Sequence, residues 1–373
     1  MSTVTKRKAR VIAFYLPQFH PIPENDRWWG KGFTEWTNLA KAKPLFRGHE
    51  QPLQPGELGF YDLRVAETRA AQADLARTYG VEAFCYYHYW FGDGRRLLER
   101  PFEEVLASGE PDFPFCLCWA NQTWSGIWHG EPKRTLIEQI YPGIADEEAH
   151  FRLLLRAFRD PRYLRVDGQP LFVIYEPYAI PDLAAMIDRW QVAARANGLP
   201  GLHMVLHQHD FSPSQHDAGL FAGYVMPRLR STDHPVHWTS LRNRIKRQIH
   251  RWLGHPTVID YGEAMDFMLA EPTPDDPLLN YPCVVPNWDN TARSGRRGLV
   301  LLDSTPDKFR KVLRAAIERI SNRPAQQRLV FVKSWNEWAE GNFVEPDAKY
   351  GRAFLEVIDE ETRLGRVETT VSP

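Results

Sequence analysis

Apolar runs alternate with helical patterns along most of the chain. Eight runs are short, rich in β-branched and aromatic residues, and of strand length. They are Val11–Leu16, Val81–Tyr87, Phe115–Trp119, Leu171–Tyr175, Leu202–His207, Phe221–Met226, Tyr281–Val285 and Leu329–Val332. Segments of helical period lie between them. Asp62–Tyr79 carries Leu63, Ala66, Ala70, Ala73 and Ala76 on a face, and Asp146–Arg159 and Asp182–Ala196 behave similarly. The clearest is Pro306–Ile320, with Phe309, Val312, Leu313, Ala316, Ile317 and Ile320 at helical spacing and Thr305-Pro306 as its start signal. Strands alternating with helices, without an obvious linker, predict an α/β fold: a (β/α)8 TIM-like barrel with long βα loops. It is expected as one catalytic domain over residues 1–373, with its core at about 9–363. A doubly wound sheet is the second option, but no GxGxxG follows the first strand.

Such barrels carry their chemistry at the carboxyl ends of the strands. After the first predicted strand come Gln18 and His20, then Trp28, Trp29, Glu35 and Trp36. The second ends in His88, Tyr89 and Trp90, and the third in Trp119, Asn121, Gln122 and Trp124. The fourth ends at Tyr175-Glu176, and the fifth at His207, His209 and Asp210. The seventh is followed by Trp288, Asp289 and Asn290, while the sixth adds little.

The eighth opens into the densest stretch, RLVFVKSWNEWAEGNFVEP, Arg328–Pro346. Glu337 and Glu340 are three apart, so a helical turn points both carboxylates to one side. Trp335 and Trp338 share that spacing, with Asn336 between them and Gly341 for the turn. Indoles stack on pyranose faces, and two carboxyl groups supply the acid and base of glycosidic cleavage. The plain alternative is an exposed Glu pair beside two core tryptophans.

Composition adds one thing. The aromatic fraction is 13%, which suits a surface for flat, half-apolar ligands such as carbohydrate, although a large aromatic core would give the same count. A net charge of −1 provides no field to draw in nucleic acid or an anionic membrane. Cys85, Cys116, Cys118 and Cys283 fall in predicted strands without a CxxC pair, as expected of reduced thiols. The basic start followed by VIAFYLPQF is a poor signal peptide, and no run has the length of a membrane span. A cytoplasmic location is the expectation.

No metal and no cofactor are expected. His203, His207 and His209 alternate along one strand face, but the ligand set around them is incomplete, so core or substrate-bonding roles are favoured. There is no DxD triplet and no Walker-type loop. Leu241–Leu253 is a basic amphipathic segment that reads as a solvated helix face or as a peripheral contact for phosphate, lipid or a partner. EPTPDDP reads as a loop. Nothing in the sequence sets the oligomeric state.

At these residues the chain resembles the WbsX-like family, described as glycosyltransferases of O-antigen and other surface-polysaccharide clusters. That family is itself similar to glycoside hydrolase family 99, the endo-α-mannosidases and endo-α-1,2-mannanases. The resemblance runs nearly end to end, through FYLPQFHPIPEND, WWGKGFTEW, FCYYHYWF, FCLCWAN, DGQPLFVIY, NWDNTAR and SWNEWAEGNFVEPDAKYGRAFLE. One segment departs: WANQTWSGIWHG stands where the family reads closer to WANENWTRRWDG, so Gln122 and His129 replace acids. The resemblance implies a retaining mechanism in which the sugar's own 2-hydroxyl is the nucleophile. It implies Glu337 as the base that takes the hydroxyl proton and Glu340 as the general acid. An enzyme acting on manno- or rhamno-configured polysaccharide is therefore expected. Transfer in polysaccharide assembly is the alternative, and a non-catalytic carbohydrate-binding barrel a further one.

Overall fold

Eight parallel strands close on themselves in the computed structural model, which describes residues 7–126, 131–207, 217–227, 229, 248, 252–270 and 278–364. They are β1 (Arg10–Tyr15), β2 (Val81–His88), β3 (Phe115–Trp119), β4 (Gln169–Ile174), β5 (His203–His207), β6 (Gly223–Pro227), β7 (Leu279–Val284) and β8 (Leu329–Val332). Each pairs with the next, and β8 returns to β1 with Val11 opposite Val330 and Ala13 opposite Val332. The result is the (β/α)8 barrel that the alternating pattern predicts.

Ten helices are described: α1 (Pro23–Trp29), α2 (Glu35–Lys41), α3 (Ala66–Thr78), α4 (Arg100–Ser108), α5 (Ile144–Phe158), α6 (Leu183–Ala196), α7 (Tyr261–Leu269), α8 (Thr291–Ser294), α9 (Pro306–Ile320) and α10 (Ala353–Thr362). In α9 the Thr305 hydroxyl accepts from the Lys308 amide at 3.3 Å and caps the first turn. The face predicted for it is buried from Phe309 to Ile320. All four residues of β8 are fully buried, each such apolar side chain contributing about 1.5–3 kcal/mol.

The βα loops are long and structured. The β1 loop carries α1 and α2, and the β3 loop carries a hairpin of Trp124–Gly126 with Glu131–Ile137. After β7, Leu299–Leu302 pairs with Thr257–Asp260 as a small parallel ribbon. All four cysteines are buried and reduced. Among the described residues, no helix is long and apolar enough to cross a membrane. His129, His209, Asp210 and EPTPDDP lie outside the described residues, as does Leu241–Leu253 apart from residues 248, 252 and 253.

Candidate active site

The paired glutamates follow directly from the carboxyl end of β8. Asn336–Glu337 pairs with Asn342–Phe343, and Trp338–Glu340 forms a single 3₁₀ turn between them. Three residues per turn place Glu337 and Glu340 over one another. Gly341 ends the turn at φ 53°, and a Cβ there would lie 2.8 Å from the Asp289 backbone nitrogen. Only glycine fits both the left-handed backbone and that approach.

The two carboxyls are shifted in opposite directions. Lys333, the first residue after β8, brings its Nζ to 3.1 Å and 3.2 Å from the Glu337 carboxylate oxygens and donates to the Tyr87 hydroxyl at 3.0 Å. Burial alone would raise Glu337, but Lys333 and then Arg293 outweigh it and hold this carboxyl below the usual range. Burial pushes Glu340 up to about 7, the neighbouring Glu337 charge adding to burial while Arg293 opposes. The two share a hydrogen bond that raises Glu340 and lowers Glu337, so protonated Glu340 is the donor.

Arg293, on α8, bridges Glu340 at 2.7 Å and Glu35 at 2.6 Å. Glu35 is fully buried and accepts the Ala339 amide at 2.9 Å, inside the turn. The β1, β7 and β8 loops thus converge on one ion cluster. Arg293, Lys333 and Tyr87 are the residues of this centre that the sequence reading missed. The available signal was positional: a lysine ending a buried apolar strand, four residues before a glutamate.

Several candidate residues gather at this centre. The Trp288 ring centroid is 5.8 Å from the Lys333 ammonium. Tyr175 stacks on His207 with centroids 4.2 Å apart and meets Tyr87 edge-on. Trp28 stands farther out, edge-on to Trp124, which packs on Tyr89. Trp29 lies under the Arg134 guanidinium, and Gln18 is half-buried, its carbonyl accepting the Glu35 amide at 2.9 Å.

Other candidates are bonded within the protein. Asn121 clamps the β4 loop, accepting the Glu176 amide and donating to its carbonyl, both at 2.8 Å. His88 bonds His150 ring to ring at 2.9 Å, and burial pushes His88 down to about 3. Trp90 and Trp119 pack on that pair. Asp289 receives His49, Gln51, the Thr291 amide and the Thr291 hydroxyl, so its four acceptor positions are filled. Asn290 accepts the Leu299 amide, Asn336 ties the turn to Leu16, and His20 bonds the Pro17 carbonyl. Trp36, Trp335 and Trp338 pack in the core. Among the described residues no three His, Cys, Asp or Glu converge as a metal site.

Behind the turn sits Glu345, buried, accepting Trp338 Nε1 at 2.7 Å, Tyr61 at 2.9 Å and Gln72 at 2.6 Å. Burial pushes it up to about 7 from the ordinary 4.5, these donors opposing. Its folded pKa is the higher one, so the folded chain alone keeps the proton between those values. The stability this confers is present below about 4.5 and lost as pH rises through about 7, a swing of roughly 3 kcal/mol. Glu345→Gln carries no such proton. Denaturant unfolding from pH 4.5 to 8 should show the wild type losing ground to the variant by that order; parallel curves would contradict it.

The Glycosyltransferase WbsX family model matches residues 11–358. The chain belongs to this family. Two relatives, each named "Uncharacterized protein WxcX", come from two strains of Xanthomonas campestris pv. campestris. Each is 40% identical over 365 residues, covering 97% of this chain and 51% of the relative. The chain therefore spans about half the length of these relatives. Among solved structures, a "Glycoside hydrolase-like protein" superposes with a TM-score of 0.61 at 16% identity, covering 97% of this chain and 96% of the other. The GH99 endo-alpha-mannosidase from Bacteroides thetaiotaomicron superposes with a TM-score of 0.55 at 16% identity, covering 94% and 96%. These likenesses show the shared barrel. Gln122 donates to the Glu176 carboxylate at 2.6 Å, a contact that an acid there would turn into repulsion.

Proposed function

We propose that this WbsX-family chain breaks or exchanges glycosidic bonds in manno- or rhamno-configured polysaccharide, with retention and with the sugar's 2-hydroxyl as nucleophile. The observation that carries the reading is the asymmetry of the pair: Glu337 ionised beside Lys333, and Glu340 protonated near neutral pH. A general base must be charged and a general acid must carry its proton at the same pH.

The steps balance without an enzyme nucleophile. Glu337 takes the 2-hydroxyl proton as that oxygen attacks the anomeric carbon, while Glu340 gives its proton to the departing oxygen. The anomeric bond to the leaving sugar breaks and a 1,2-anhydro sugar forms. Water, or a sugar hydroxyl, then opens it, losing a proton to Glu340 and returning one through Glu337 to the 2-oxygen. An inverting reaction suits the site poorly, because it needs carboxyls about 6.5–9.5 Å apart with a water between them. Here the two lie close enough to shift each other's protonation.

The second reading, transfer in polysaccharide assembly, draws on the family's description as glycosyltransferases. In it a sugar hydroxyl replaces water in the last step. A binding-only barrel has no use for two carboxyls of opposite protonation.

Participation is tested with a 2-deoxy or 2-O-methyl analogue of a substrate that is turned over. The analogue lacks the internal nucleophile and should be inert with the wild-type protein. Efficient turnover of the 2-deoxy analogue would rule out participation and direct attention to Glu176 as an enzyme nucleophile, since Glu35 is fully buried.

A further inference from the structure

A cavity of about 620 Å³ opens beside the catalytic turn, between residues 48–54, residues 300–304 after β7, and the segment that follows Gly341. That volume falls within the range of small-molecule sites, about 300–1,000 Å³. Its catalytic-side wall contains Trp288, Gly341 and Phe343. Trp288 also faces the Lys333 ammonium, and Phe343 stacks on Trp338 with centroids 3.7 Å apart. The cavity and the catalytic pair are therefore neighbours that share the Trp288 indole.

The lining selects a ligand class. Tyr350, Phe354, Leu53 and Leu301 offer ring and aliphatic surface suited to the C–H faces of a sugar. Glu50, Asp289, Asp303 and Asp347 border the cavity against Lys349. Glu50 is neutralised by Lys349 at 2.6 Å, and Asp303 meets Lys308 at 2.6 Å. The remaining balance is acidic, which disfavours phosphate and therefore a nucleotide sugar. Each carboxylate of these partly used pairs keeps lone pairs that accept from hydroxyl groups.

We infer that this cavity is a second saccharide site, holding a neutral stretch of the same polymer whose other residues lie over Glu337 and Glu340. The carbohydrate class rests on the proposed function; the separate location does not. Two linked sites make the second contact intramolecular, so a long chain gains affinity over a short one, by about 10²-fold or more where the linkage spans both.

The test uses Glu340→Gln, which blocks turnover, and adds Ala348→Trp or Ser304→Trp to fill the cavity from either of two walls. α-Linked mannotetraose and rhamnotetraose, the longer polymer of each, and uridine diphosphate are titrated calorimetrically, and crystals are soaked with the tetraoses. The expected result is two tetraose sites per chain, falling to one in each filled variant, with the polymer's advantage lost and no uridine diphosphate in the cavity. A single cleft site, unchanged by either filling, would overturn this inference and leave the proposed function standing. Sugar in the cavity but never over the glutamates would contradict the proposed function and overturn the claim that one polymer bridges the two places. Uridine diphosphate in the cavity would overturn the saccharide assignment, and no sugar at either place would remove both.

Discussion

Glu340→Gln is expected to lose about 10²–10⁴-fold in rate on a natural sugar leaving group, the usual contribution of a positioned acid. The loss should shrink with an aryl leaving group of low pKa, because that oxygen departs with little help from a proton. Glu337→Gln should damage both substrates to a similar extent, since attack by the 2-hydroxyl is needed whatever leaves. The distinction rests on the environments of the two groups. Glu340 holds its proton to about 7, and Glu337 is kept ionised by Lys333. Steady-state rates of both variants on matched sugar and aryl substrates check it. An equal loss on both substrates for Glu340→Gln would remove its role as acid.

Arg293→Met should change stability and pH profile together. Arg293 is the cation between Glu35 and Glu340, with bonds of 2.6 Å and 2.7 Å. Removing it leaves Glu35, which is fully buried, without a counter-charge, and breaking such a pair costs about 3–5 kcal/mol. Glu35→Gln on top of it should recover much of that loss, since a neutral amide needs no cation. The rate has a separate signature. The acid form of Glu340 is lost as pH rises through about 7, so wild-type activity should fall there. Arg293 opposes that elevation, and without it the alkaline limb should move to higher pH. Glu337 loses a cation as well, so the acid limb should also move up. Denaturant midpoints and pH–rate curves of the single and double variants measure both effects; an unmoved alkaline limb would disconnect Arg293 from Glu340.

Much of the fold was legible because buried parallel strands read as unbroken apolar runs. Phe115–Trp119, Leu329–Val332 and Pro306–Ile320 have the same bounds in the sequence reading and in the structure. The first strand differs by one residue at each end, and α3 starts at Ala66 rather than Asp62, since Leu63 bonds back to Phe19 in the preceding loop. α1 and α2 were not legible: each is seven residues long and rich in polar and aromatic side chains, too short for a period to show. The glutamate pair was visible as i, i+3 carboxyls after a buried strand. Its link to Glu35 and Arg293 was not, because those two come from the β1 and β7 loops that only barrel closure brings to the pair. The aromatic excess also misled in one respect. Trp190, Trp335 and Trp338 are core side chains, whereas Trp288 stands beside Lys333.

The most direct measurement is release of new reducing ends from manno- and rhamno-configured oligosaccharides by the purified chain, with EDTA present and no nucleotide sugar added. The carboxyl pair predicts release under those conditions and its loss in Glu340→Gln. Activity that requires a nucleotide-activated donor, or that EDTA abolishes and a divalent ion restores, would contradict the account.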